Sequence, residues 1–141
     1  MYKKILVALE NSPSDEPLIA HVAQLAQLLK SKLLLVHVAE GFAARHFDQL
    51  KLAESEEMKA DHAYLAAVQE KLLASGLNVY SHMALGNPPD EIVKTAESEQ
   101  CDLIAMGAHG HRFLGDLVHG STIEPVRHKT SVPVLIVSKP E

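Results

Sequence analysis

The chain has 141 residues, 47% hydrophobic and 22% charged, which fits one ordinary globular domain with room for a sizeable core. A net charge of −5 and a pI near 6.0 argue against a nucleic-acid-binding surface, which is normally basic. No apolar run approaches the roughly 20 residues needed to span a bilayer, and the single Cys101 rules out an internal disulfide. The first residues run straight into an apolar stretch with no signal-peptide pattern, so the expected compartment is the cytoplasm and the expected role of Cys101 is a buried thiol.

Ile5-Leu6-Val7-Ala8-Leu9 reads as a central strand buried on both faces. Glu10 to Ser14 breaks the pattern, and a helix start at Ser14 puts Pro17 at the third helical position, where its missing N–H costs little. Leu18, Val22, Leu25 and Leu29 repeat at helical spacing, and residues 32–38 form a second apolar strand. Strand, helix, strand in this order predicts a right-handed crossover with parallel pairing.

Residues 41–46 read as a loop, and a long helix over about residues 48–75 presents Met58, Leu65, Val68 and Leu72 as its apolar face. Gly76 suits its C-terminal cap. Residues 77–85 alternate weakly and form a third strand. Asn87-Pro88-Pro89-Asp90 is a helix start, with Asn as cap, proline in the first turn and acids against the dipole; Ile92, Val93 and Ala96 face inward.

Leu103-Ile104-Ala105-Met106 is a fourth buried strand ending at Gly107. Gly107 and Gly110, then Gly120-Ser121-Thr122, frame the stretch that precedes the last helix, which runs to about Lys129. Thr122 as its cap places Pro125 in the first turn. A fifth strand covers residues 132–137. There is no internal repeat, linker or low-complexity segment. Strands alternating with helices in this way predict an open parallel sheet with helices on both faces, whose ligands sit at the carboxyl ends of the strands where the strand order reverses.

A glycine-rich turn leading into a helix N-terminus is a natural anion site, because glycine lets the backbone come close and the unpaired N–H groups favour a phosphate. The competing reading is a plain turn, with Ser121 and Glu124 as a capping box. Gly115-x4-Gly120-Ser121-Thr122 has the outline of a Walker A loop but lacks its lysine, and a GxGxxG fingerprint is absent. Nine histidines raise the possibility of a metal, with His109, His111, His119 and His128 late in the chain and His109-x-His111 able to place two imidazoles together, yet no Cys or carboxylate stands at a familiar zinc spacing, and surface histidines are the expected reading. No nucleophile-elbow sequence frames a serine. No catalytic residue and no protein-bound metal is assigned.

Gly-x2-Gly-x9-Gly-Ser over Gly107, Gly110, Gly120 and Ser121 resembles the nucleotide-binding signature of the universal stress protein family, in its ATP-binding subclass. The resemblance extends over nearly the whole chain: YKKILVALENSPSDEPL, LLLVHVAE, GNPPDEIVKTAESEQCDLIAMGAHG and the closing VPVLIV. It implies a single Rossmann-like domain over residues 1–141, with strand order 3-2-1-4-5. It also implies phosphate contacts from Gly107, Gly110, Gly120 and Ser121. Met106, His109 and Thr122 would line the nucleotide, and Ala8 and Val38 would lie near adenine. Where ATP-binding relatives usually carry Asp, this chain has Glu10, which keeps the charge with one more methylene and could take a ribose hydroxyl or approach a metal. Ile123 departs as well, from a small polar residue. The implied function is a cytoplasmic stress-response sensor or regulatory module that binds ATP with Mg²⁺ and forms a homodimer through its last strand. The alternatives are a slow ATPase or a phosphoryl or adenylyl transferase, and a nucleotide-free dimerisation module in which the glycines only make a turn.

Overall fold

The computed structural model describes residues 1–40, 56–108 and 122–139. Their order is β1 (Lys4–Ala8), α1 (Asp15–Leu29), β2 (Lys32–Glu40), α2 (Glu56–Ala74), β3 (Asn78–Gly86), α3 (Pro88–Ser98), β4 (Leu103–Ala108), α4 (Ile123–Lys129) and β5 (Val134–Ser138). The five strands form one sheet in the order β3-β2-β1-β4-β5, every pairing parallel. This is the order that the resemblance implies.

Strand alternation sorts the core into two layers. Ile5, Val7, Leu33, Leu35 and Ala105 face α1 and α2, where Leu18, Val22, Leu65, Val68 and Leu72 cover them. Leu6, Ala8, Leu34, Val36, Ile104 and Met106 face the other way, toward Ile92, Val93 and Ala96 of α3 and Val126 of α4. The central strand is therefore covered on both sides, as its unbroken apolar run predicts.

The expected turn chemistry is present. Gly76 has φ +91°, a left-handed conformation that suits glycine, and ends α2 with its N–H on the carbonyl of Leu73. The Asn87 side chain accepts the N–H of Asp90 at 3.4 Å, and the first turn of α3 holds Pro88. Across the bottom of the sheet the Asp102 carboxylate accepts the N–H groups of Lys3 at 2.9 Å and Lys4 at 3.1 Å, fastening the starts of β1 and β4 together. Cys101, just ahead of β4, is buried, and burial pushes its thiol up to about 11.

Several boundaries differ from the sequence reading. β2 continues to Glu40 because its ladder with β3 runs on to Gly86. β5 begins at Val134, since Pro133 has no N–H to donate and contributes only its carbonyl, to Ile104 N–H. Ser14 and Thr122 occupy the cap positions of α1 and α4, but neither side chain makes a capping hydrogen bond. β3 is an edge strand, so its alternation is incomplete and His82 is exposed. The expected loop at residues 41–46 and the expected start of the long helix lie outside the described residues.

Candidate functional site

The strand order reverses beside β1: β2 lies on one side of it and β4 on the other, so the connections leaving β1 and β4 go to opposite faces of the sheet and part above their carboxyl ends. A cavity of about 670 Å³ opens there, within the range of small-molecule sites. Ala8, Leu9, Glu10 and Asn11 come to it from the end of β1, and Val36 to Ala39 from β2. Met106 and Gly107 bring the end of β4, Pro88 and Ile92 the start of α3, Met58 and Asp61 the side of α2, and Thr122 the start of α4.

Six of the residues singled out from the sequence, Ala8, Glu10, Val38, Met106, Gly107 and Thr122, thus line one cavity although they come from four separate stretches of chain. His109, Gly110, Gly120 and Ser121 lie outside the described residues, as do His111 and His119. Among the described residues, no group of three or more His, Cys, Asp or Glu side chains is placed to hold a metal ion.

The wall and the rim differ in chemistry. Ala8, Val38, Ile92 and Met106 make an apolar slot at the sheet surface. Glu10 stands exposed at the rim, where its Oε2 accepts from the hydroxyls of Ser12 at 3.3 Å and Ser14 at 3.4 Å. Such a carboxylate can accept from ligand hydroxyls. Gly107 brings β4 against the start of α1: a β-carbon there would stand 2.9 Å from the Ser14 carbonyl oxygen, so the close approach itself requires glycine.

A polar cluster beside the cavity was not anticipated from the sequence. Asp15 is buried at the first position of α1, and its carboxylate accepts the N–H groups of Glu10 at 3.0 Å, Asn11 at 2.8 Å and Ser12 at 3.4 Å. The Tyr64 hydroxyl donates to the same carboxylate at 2.7 Å. Burial, and then this hydrogen bond to Asp15, push the Tyr64 phenol well above the ordinary tyrosine range. His37 and Asp61 meet 3.0 Å apart. One signal was legible: Asp61 falls three residues after Met58 and four before Leu65, inside the buried stripe of α2, where a carboxylate needs a partner.

A family model described as the universal stress protein family matches residues 1–138.

The chain belongs to the universal stress protein family.

Universal stress protein MJ0577 of Methanocaldococcus jannaschii is 30% identical to it, over 99% of this chain and 96% of that one. The solved structure of MJ0577 superposes with a TM-score of 0.85, covering 100% of this chain and 99% of that chain. Universal stress protein YxiE of Bacillus subtilis is 26% identical over 97% of this chain and 99% of its own length. A universal stress protein from Archaeoglobus fulgidus, solved in complex with dAMP, shares the fold at 23% identity and a TM-score of 0.71, covering 96% of this chain and 98% of that one.

Proposed function

We propose that this universal stress protein binds ATP in the cavity above β1 and β4 and serves as a stress-response sensor or regulatory module. The observation that carries the reading is the convergence of Ala8, Glu10, Val38, Met106, Gly107 and Thr122 on one cavity, Gly107 being the first glycine of Gly-x2-Gly-x9-Gly-Ser in the sequence. The apolar slot suits a flat base. Glu10 suits the ribose hydroxyls, and the N–H groups of the glycine-rich segment suit the phosphates. The dAMP complex of the Archaeoglobus fulgidus relative supports a nucleotide as the ligand class.

Mg²⁺ fits as a companion of the phosphates rather than as a resident metal. It is commonly held through one or two carboxylates together with substrate phosphates, and no described three-ligand cluster is needed. Among the described residues that line the cavity there is no lysine or arginine, so the counter-charge would come from Mg²⁺ and the glycine-rich segment. The proposed setting is the cytoplasm, and the proposed assembly is a homodimer through β5.

Calorimetry with ATP and Mg²⁺ should show saturable heat and a raised melting temperature, because a ligand selective for the folded state stabilises it by mass action. Gly120→Val should remove both signals and leave the unliganded melting temperature in place. No heat and no shift at millimolar ATP would refute the reading. Mass spectrometry of gently purified protein separates a binder, which retains ATP, from a hydrolase, which retains ADP and turns over.

A further inference from the structure

The His37–Asp61 contact has a proton count that its geometry dictates. His37, buried on β2, has Nδ1 2.9 Å from the carbonyl oxygen of Leu9 and Nε2 3.0 Å from Oδ2 of Asp61. A carbonyl oxygen only accepts, so the Nδ1 contact is a hydrogen bond only when Nδ1 carries a hydrogen. A neutral ring with Nδ1–H has a bare lone pair at Nε2, and an ionised carboxylate offers only lone pairs in return. Because a neutral ring with Nε2–H instead leaves a bare Nδ1 against the Leu9 carbonyl, the two ring contacts are both hydrogen bonds only when one further proton lies between Nε2 and Oδ2. It can sit on the ring, giving imidazolium and carboxylate, or on the acid, which then donates to a neutral ring.

Asp61 passes this state on to the rim of the cavity. Its other oxygen, Oδ1, accepts from Nδ2 of Asn11 at 3.0 Å. Asn11 has φ +61°, a left-handed conformation that asparagine takes more readily than most other non-glycine residues. It directly follows Glu10 in the loop between β1 and α1.

We infer that Asp61 and His37 are positioning residues for the cavity, sharing one proton that fastens Asn11, and through it the Glu10 rim, to α2. When the proton leaves, one of the two ring contacts, Nε2 with Oδ2 of Asp61 or Nδ1 with the Leu9 carbonyl, becomes a repulsion between lone pairs, and the loop that runs from Leu9 through Asn11 loses one of its two anchors on the pair. Among the described residues, the charged and titratable neighbours on the elements around the pair are Glu57 and Tyr64 of α2, Asp15 of α1 and Glu10 of the loop. His37 is level with apolar Met83 on β3. Asp15 still accepts the N–H groups of Glu10, Asn11 and Ser12, so the loop stays attached there but opens more readily, and these amides exchange faster, once another anchor is gone. The consequence for ATP rests on the nucleotide reading of the cavity, whereas the fastening of the loop does not.

Asp61→Asn isolates the proton. Its carbonyl oxygen can accept from Asn11 and its amide can donate to a neutral His37 Nε2, so with a neutral ring the same contacts form without the shared proton. The first measurement is amide hydrogen exchange at residues 10–12 in the unliganded protein, corrected for intrinsic rate, across the pH range in which all variants stay folded. Wild type should lose part of this protection as the pH rises, Asp61→Asn should not lose it with rising pH, and Asp61→Ala should be less protected throughout. The second is ATP calorimetry over the same range, where titration of ATP itself is common to all variants and cancels in the comparison. Wild-type affinity should fall about tenfold with rising pH relative to Asp61→Asn, and Asp61→Ala should be about tenfold weak at every pH. Identical pH profiles for wild type and Asp61→Asn, or protection that does not depend on residue 61, would overturn the inference. Exchange that follows the expected pattern with no ATP heat in any variant would uphold the fastening and refute the nucleotide reading.

Discussion

Gly107 packs so closely on Ser14 that a β-carbon at residue 107 would stand 2.9 Å from the Ser14 carbonyl oxygen. The obstacle is backbone, which cannot rotate away as a flexible side chain would. Gly107→Ala should therefore cost about 1–3 kcal/mol through overpacking, and Gly107→Val more. Urea unfolding measures it. Because Gly107 also lines the cavity, the alanine variant should bind ATP more weakly as well. Unchanged stability would show that the start of α1 gives way at little cost.

Glu10 lines the cavity and accepts from the hydroxyls of Ser12 and Ser14, which hold its carboxylate at the rim. Glu10→Ala should weaken ATP by about 1.5–3 kcal/mol, the worth of a hydrogen bond to a charged group, or about ten- to a hundredfold. Glu10→Asp should keep or improve the affinity. Calorimetry that finds the alanine variant equal to wild type would remove Glu10 from the ligand shell.

Tyr64 donates to the buried Asp15 at 2.7 Å, so Tyr64→Phe should cost about 1.5 kcal/mol at neutral pH. The pH dependence has a definite sign. Burial and the Asp15 hydrogen bond raise the folded-state value of the phenol. The associated stability is present in full below the ordinary tyrosine value of about 10 and is lost as the pH rises from there toward the folded value. The gap in unfolding free energy between wild type and Tyr64→Phe should accordingly shrink above about pH 10. A gap that stayed constant or widened would contradict the assignment.

β5 lies at an edge of the sheet, and its residues Val134 to Val137 are only half-buried in the single chain. An apolar edge of this kind is a pairing hazard, and a two-fold contact with a second copy covers both edges at once. Light scattering should give twice the 15.4 kDa chain mass. Leu135→Lys should move the mass toward that of one chain, with circular dichroism confirming that the sheet survives, since Leu135 also touches the core. A wild-type mass near 15.4 kDa across the micromolar range would rule the dimer out.

The sequence by itself determined the succession of elements, the two-sided burial of β1 and the helix-facing residues of α2 and α3. Those follow from apolar periodicity and from caps such as Asn87 and Gly76, which act over a few residues of chain. The glycine spacing and the matching segments also identified the family and the strand order, and singled out six residues that line the cavity, Ala8, Glu10, Val38, Met106, Gly107 and Thr122. What only the tertiary structure decided is long-range polar pairing. His37 and Asp61 are 24 residues apart, and Lys3 and Asp102 are 99 apart. Each pair depends on the register of strands and the seating of a helix, which no local pattern encodes. Likewise Gly107 reads as a phosphate contact in the sequence, while the fold shows in addition a packing reason for glycine against Ser14. A buried carboxylate such as Asp61 announces that a partner must exist, because an unpaired charge in the core is too costly. Which partner it finds is set by how the elements pack.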